Sequence, residues 1–212
     1  MNKLLLWSFL WLAPAVHSEI LYKTDFTRAE PGKVPEELQV LEGAFTVHED
    51  QGNRFLELPG APVDAFTVLF GPAESSNVVV TARIQATARG RRSPTFGVGL
   101  NGVAGYRLQV SPAKNAIELY KDRELKATTP YEWKSGQWLH CRLQLRNRNQ
   151  GWTLEGKVWP EGTPEPERSM IAFDENEEPL PGRASIFGNP FSGTPIRFDD
   201  LIVTRPDGVR PH

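Results

Sequence analysis

The stretch that most constrains this chain is Tyr131–Pro160, YEWKSGQWLHCRLQLRNRNQGWTLEGKVWP, which holds four of the six tryptophans. Over Trp138–Asn147, Leu139, Cys141, Leu143 and Leu145 alternate with His140, Arg142, Gln144 and Arg146. A period of two belongs to a strand with one buried face. Arg148–Gly151 reads as a turn. Trp152, Leu154, Gly156 and Val158 then alternate with Thr153, Glu155, Lys157 and Trp159, until Pro160 and Gly162 close the unit. Paired, the two strands have one apolar face. The other is a polar strip of Arg, Gln, Glu and Lys with Trp159 among them.

The rest of the chain repeats this design. The longest regular stretch is Asn77–Ala88, where Val78, Val80, Ala82, Ile84 and Ala86 alternate with Val79, Thr81, Arg83, Gln85 and Thr87. Thr95–Leu100 and Tyr106–Ser111 are predicted to pair across Asn101-Gly102, a strong hairpin signal. Ala116–Lys121 and Glu124–Ala127 read as a further hairpin around Asp122-Arg123. Glu19–Phe26, ending in Asp25-Phe26, reads as the first strand, and Arg183–Phe187 and Ile196–Thr204 as the last two. The acidic run Asp174–Gly182 is bounded by prolines and reads as a solvated loop. Short strands, Pro/Gly punctuation and no amphipathic helix predict an all-β fold, a two-sheet antiparallel jelly-roll β-sandwich.

Residues 1–18 have the layout of a secretory signal: Lys3, an apolar run from Leu4 to Leu12, then Val16-His17-Ser18 before a predicted cleavage after Ser18. That predicts a secreted or periplasmic protein with no transmembrane segment after cleavage, since the apolar run is too short to span a bilayer. Residues 19–212 suit a single domain, as sandwiches often reach roughly 200–250 residues. The formal charge of −2 gives no reason to expect nucleic acid as a partner. Cys141 is the single cysteine, so no intramolecular disulfide can form, and its place in the apolar register predicts a buried thiol.

Several pieces resemble the concanavalin A-like lectin/glucanase superfamily, in particular secreted bacterial domains of the laminin-G-like and 3-keto-disaccharide hydrolase kinds. They are Phe96-Gly97-Val98-Gly99-Leu100 with Gly105-Tyr106-Arg107-Leu108-Gln109-Val110, Glu132-Trp133-Lys134-Ser135-Gly136-Gln137-Trp138, and the terminal Ile196-Arg197-Phe198-Asp199-Asp200-Leu201-Ile202-Val203. The resemblance implies two antiparallel sheets, one concave, with a glycan or oligosaccharide held on the concave face or its rim. It also implies a structural calcium ion between Asp25, Asp199 and Asp200, with a carbonyl from Gly43, because carboxylates and carbonyls are the ligands calcium takes.

If the outward residues lie side by side, they form a sugar-binding floor, and Arg107, Gln109, Arg142, Gln144 and Trp159 are its candidates. Planar side chains would bond hydroxyls, and an aromatic face would take the C–H side of a sugar ring. An ordinary solvated sheet face would have the same pattern. The chain carries no E-x-D-x-x-E run of the laminarinase type, which would set two carboxylates on one strand face. Glu155 is the one carboxylate this register offers to the floor, so an enzyme reading of the hydrolase kind would rest on it. The leading expectation is non-catalytic carbohydrate binding; the third is an envelope protein-interaction module. Phe191, in the rim segment 188–193, is a further candidate for ligand stacking, and Arg89-Gly90-Arg91-Arg92 reads as a basic hairpin tip.

Overall fold

The computed structural model describes residues 18–148 and 151–206. Residues 1–17 of the expected leader and the middle of the turn after Arg148 lie outside the described residues. Fifteen strands follow in chain order: β1 Glu19–Thr24, β2 Gln39–Glu42, β3 Thr46–Asp50, β4 Asn53–Leu58, β5 Phe66–Glu74, β6 Val78–Ala86, β7 Thr95–Leu100, β8 Tyr106–Ser111, β9 Ala116–Lys121, β10 Glu124–Pro130, β11 Trp138–Arg148, β12 Gly151–Pro160, β13 Ile171–Glu175, β14 Gly182–Asn189 and β15 Ile196–Arg205. The one helical turn among the described residues is the 3-10 segment Pro112–Lys114. No helix there is long and apolar enough to cross a membrane.

The strands form two antiparallel sheets. The eight-stranded sheet has the order β13-β12-β11-β6-β15-β4-β3, with β1 also paired to β15. The seven-stranded sheet has the order β10-β9-β8-β7-β14-β5-β2. The predicted hairpin is in register, with Cys141 opposite Val158 and Leu143 opposite Gly156. The chain crosses between sheets repeatedly, so sequence neighbours such as β6 and β7 lie in opposite layers.

The core lies between the layers. Val80, Ala82, Ile84, Leu139, Cys141, Leu143 and Phe198 from one sheet meet Phe70, Phe96, Val98, Leu108, Ile117 and Ile186 from the other, all fully buried. Gly156 points inward and lets the two sheets approach: a Cβ there would sit 2.9 Å from Leu108 Cδ1 of the facing sheet. Burial pushes the Cys141 thiol up to about 12, so it is a core side chain and not a reactive thiol.

The β7–β8 hairpin has the predicted bounds: Leu100 pairs with Tyr106, and Asn101 (φ 63°) and Gly102 (φ 76°) in the connection adopt left-handed backbone. Two sequence expectations change. β5 runs through Gly71-Pro72 to Glu74, where the sequence suggested a stop at Phe70. Asp174 and Glu175 belong to β13 and not to a loop. Glu175 is buried because Tyr106 Oη donates to it at 2.8 Å and Lys121 Nζ lies 2.8 Å away. Both partners come from the other sheet, so no local pattern announces them.

Candidate functional site

The alternation in each strand correctly separates inward from outward residues, but the outward sets do not share one floor. Arg83, Gln85, Arg142, Gln144, Arg146, Glu155, Lys157 and Trp159 lie on β6, β11 and β12 of the eight-stranded sheet. Arg107 and Gln109 lie on β8 of the seven-stranded sheet, on the opposite side of the sandwich. The sandwich therefore has two outer faces of different chemistry.

The face of the eight-stranded sheet is an ion-pair lattice. Arg83 bonds Glu161 at 2.5 Å, lies 3.1 Å from Asp200 and donates to Asp199. Its guanidinium also rests over the Trp138 ring at 4.6 Å. Arg197 pairs with Glu57 and Asp50 and lies over Phe55. Glu155 is held 3.4 Å from Arg146 and 3.9 Å from Arg148. Trp159 is not an open platform: it is only 9% exposed and stacks on His140, with ring centroids 5.1 Å apart. Burial lowers the His140 imidazole below its ordinary value, so a neutral ring faces Trp159 near pH 7.

The residues expected to hold calcium have partners within the chain. β1 pairs with β15, with Thr24 opposite Leu201, so Asp25 does come back beside the Asp199-Asp200 segment. Its carboxylate, however, accepts from the Thr27 backbone N–H at 3.1 Å and hydroxyl at 2.7 Å. Asp199 is 1% exposed and accepts from Asn53, Arg83 and the Asp200 N–H. Gly43 sits against Phe45 and Phe66. A guanidinium serves the aspartate pair, and no group of three His, Cys, Asp or Glu among the described residues is placed to hold a metal ion. The Asp-Asp signal in the sequence marks a clasp on Arg83.

The face of the seven-stranded sheet is organised in cross-strand rows. One runs Tyr120, Arg107, Gly99, Ser185; the next runs Glu118, Gln109, Gly97, Phe187; a third includes Ser111 on β8, with Thr95 opposite Asn189. β7 contributes no side chain to the first two rows. A Cβ at Gly97 would be 3.0 Å from Phe187 Cζ, and one at Gly99 would be 2.5 Å from Ser185 Oγ. The two glycines thus let Phe187 and Ser185 lie down on the sheet. Arg107 is held between two rings, 5.7 Å from the Tyr120 centroid and 5.4 Å from the Phe187 centroid. Its Nη2 donates to the Asp122 carbonyl at 2.8 Å, while its Nε is buried without a partner. Asn189 Oδ1 is likewise buried and unpartnered.

Glu118 is the single carboxylate on β7, β8, β9 and β14, and it is 2% exposed. Burial pushes its carboxyl up, but bonds from Lys114 Nζ at 2.7 Å and Ser111 Oγ at 2.5 Å outweigh this, and the group is held below the usual carboxylate range. Gln109 Nε2 donates to Ser111 at 2.8 Å. Beyond Asn189, the connection to β15 carries Phe191, which is 56% exposed, while Ser192 tucks in.

Of the residues on this face and its rim, sequence reasoning singled out Arg107, Gln109 and Phe191 and passed over Tyr120, Glu118 and Phe187. The signal available for Phe187 was the Gly-x-Gly of β7. Outward glycines in a central strand imply that neighbouring side chains or a ligand approach the backbone there.

No protein-family model matches the chain, and no curated protein matches it in sequence. Solved structures do match its fold. A carbohydrate-binding module CBM66 from Bacillus subtilis superposes with a TM-score of 0.55 at 9% identity, covering 79% of this chain and 94% of that one. The carbohydrate recognition domain of Emp46p, in its metal-free form, gives 0.58 at 10% identity over 87% of this chain and 94% of that one. Domain 4 of AbnA, a GH43 extracellular arabinanase from Geobacillus stearothermophilus solved with arabinotriose, gives 0.52 at 12% identity over 89% and 93%. The chain has the concanavalin A-like jelly-roll β-sandwich fold.

Proposed function

We propose that this protein binds glycans without transforming them, on the outer face of the seven-stranded sheet. The observation that carries this is the state of Arg107. Two aromatic rings fix its guanidinium flat, and one N–H is left without an acceptor. A buried donor without a partner is costly in an isolated fold, and a sugar hydroxyl would satisfy it. The Asn189 carbonyl offers the reciprocal acceptor. Gly97 lets the Phe187 ring lie over β7 beside Gln109, which sets an aromatic face next to a planar amide. Glu118 is matched by Lys114, so the charge this face offers a sugar is the guanidinium of Arg107. The exposed Phe191 extends the site at its Asn189 end.

The fold alone would serve many functions, and the matched carbohydrate-binding domains add weight to this reading without carrying it. Export belongs to the same proposal: residues 1–18 direct the chain to the envelope or medium, and N-terminal sequencing of the mature protein should begin at Glu19.

The test is a thermal-shift and calorimetric screen of the mature protein against a panel of oligosaccharides. A ligand that binds only the folded state raises Tm by mass action. One sugar class should raise Tm, and Arg107→Ala should weaken its binding more than tenfold while the protein stays folded. Binding unchanged in Arg107→Ala, or no response to any glycan, would overturn the assignment.

A further inference from the structure

We propose that the opposite face, on the eight-stranded sheet, holds a second site, which takes a single sulfate or carboxylate group between β11, β12 and the connection from β12 to β13. The argument begins with a repulsion. Arg142 and Lys157 are direct cross-strand partners, and like charges opposite each other destabilise a ladder. The chain resolves this with an anion of its own. Glu165, from the connection, lies 2.8 Å from Lys157 Nζ and 3.1 Å from Arg142 Nη1. That carboxylate fastens the connection over the sheet and shows what chemistry the pair accepts.

Beside Glu165 the connection leaves a cavity of about 100 Å³. Gln144 is its floor, Arg142, Arg146, Glu155 and Lys157 are its walls, and Glu167 and Ser169 border it from the connection. At ~30 Å³ for a water molecule, the space holds about three waters, or one sulfate or carboxylate group. One of its donors lacks an acceptor. Gln144 is 4% exposed. Its Oε1 accepts from Arg146 Nη2 at 3.2 Å and Arg142 Nη2 at 3.4 Å. That fixes which end of the amide faces the arginines, and Nε2 has no partner. Glu155, directly opposite Gln144 on the ladder, could have served it, but it is drawn to Arg146 and Arg148. An anion in the cavity would accept from the amide and from the cationic walls together.

This site is independent of the sugar face, and the two can fail separately. It is tested by thermal shift and calorimetry with sodium sulfate and sodium acetate against sodium chloride at matched ionic strength. Sulfate should raise Tm saturably where chloride does not. Gln144→Leu, which removes the donor and keeps the volume, should weaken the response more than tenfold while leaving Tm in chloride unchanged or higher. Arg146→Ala, at an exposed position, removes a cationic wall and one bond to the Gln144 amide, and should weaken the response as well. A sulfate response no greater than that of chloride, or one equal in wild type and both variants, overturns the proposal. Glucuronate or glucose 6-sulfate compared with the free ions then separates the sources. Tighter binding of the acidic sugar assigns the site to an acidic glycan, and equal binding assigns it to the free ion.

Discussion

The two outer faces of the sandwich are built on the same pleat and have different chemistry. On the eight-stranded sheet, Arg83, Arg142, Arg146, Lys157 and Arg197 each face a carboxylate. On β7, β8, β9 and β14 of the seven-stranded sheet, glycines, amides and rings surround Arg107, whose partners are two aromatic faces and one carbonyl. A charge already matched within the chain has little left to offer a neutral ligand. Its contribution is to join strands and fasten the β12–β13 connection. Arg107, held by two rings with one N–H unpartnered, is not tied to any carboxylate of the described chain. The first face is therefore expected to carry stability, and the second recognition.

That division can be broken by experiment. The largest effect is expected for Arg83→Ala. Asp199 would remain buried with its cation removed, and breaking such a pair costs about 3 kcal/mol. Urea denaturation should show that loss with sugar affinity intact; a loss below ~1 kcal/mol would mean the lattice is solvated decoration. Next, Phe187→Leu should weaken sugar binding about tenfold by removing the ring beneath Arg107, an effect of about 1.4 kcal/mol on binding. If Phe187→Leu abolished folding instead, the second face would be structural too.

Acid should then act on both faces together. Glu118 on one face, Glu165 on the other and Glu175 in β13 all have carboxyl groups held below the usual range; burial opposes this, and bonds from Lys114, Lys157 and Lys121 respectively outweigh it. A group with a depressed folded pKa stabilises the protein above its unfolded value, near 4.5 for these glutamates, and that contribution disappears as pH falls through the folded value. Tm measured from pH 7 to pH 3 should hold to about 4.5 and fall below it, more gently in Glu118→Gln. The smallest effect is expected for Trp159→Phe, about 0.5–1 kcal/mol from altered stacking on His140, with sugar affinity unchanged. A loss of affinity there would return the recognition site to the eight-stranded sheet.

Much of this was legible in the chain itself. Period-two alternation over 138–160 set the hairpin, its register and the burial of Cys141, because a strand's side chains can point only to one face or the other. The same rule correctly placed Arg107, Gln109, Arg142 and Gln144 outward. It could not say outward from which sheet. Strand order is fixed by crossovers between layers, and those are decided by how distant apolar faces pack, not by any local pattern. Glu175 looked like part of a solvated acidic loop because the groups that bury it, Tyr106 and Lys121, lie on the other sheet. Trp159 looked like an open platform, although the hairpin register sets His140 across the ladder from it, because only the folded sheet shows the two rings stacked and covered. The partner of Asp199 and Asp200 was not legible, because only the folded sheet brings Arg83 to them. Local sequence determined which side of each strand is wet, and tertiary structure decided which wet groups were already satisfied.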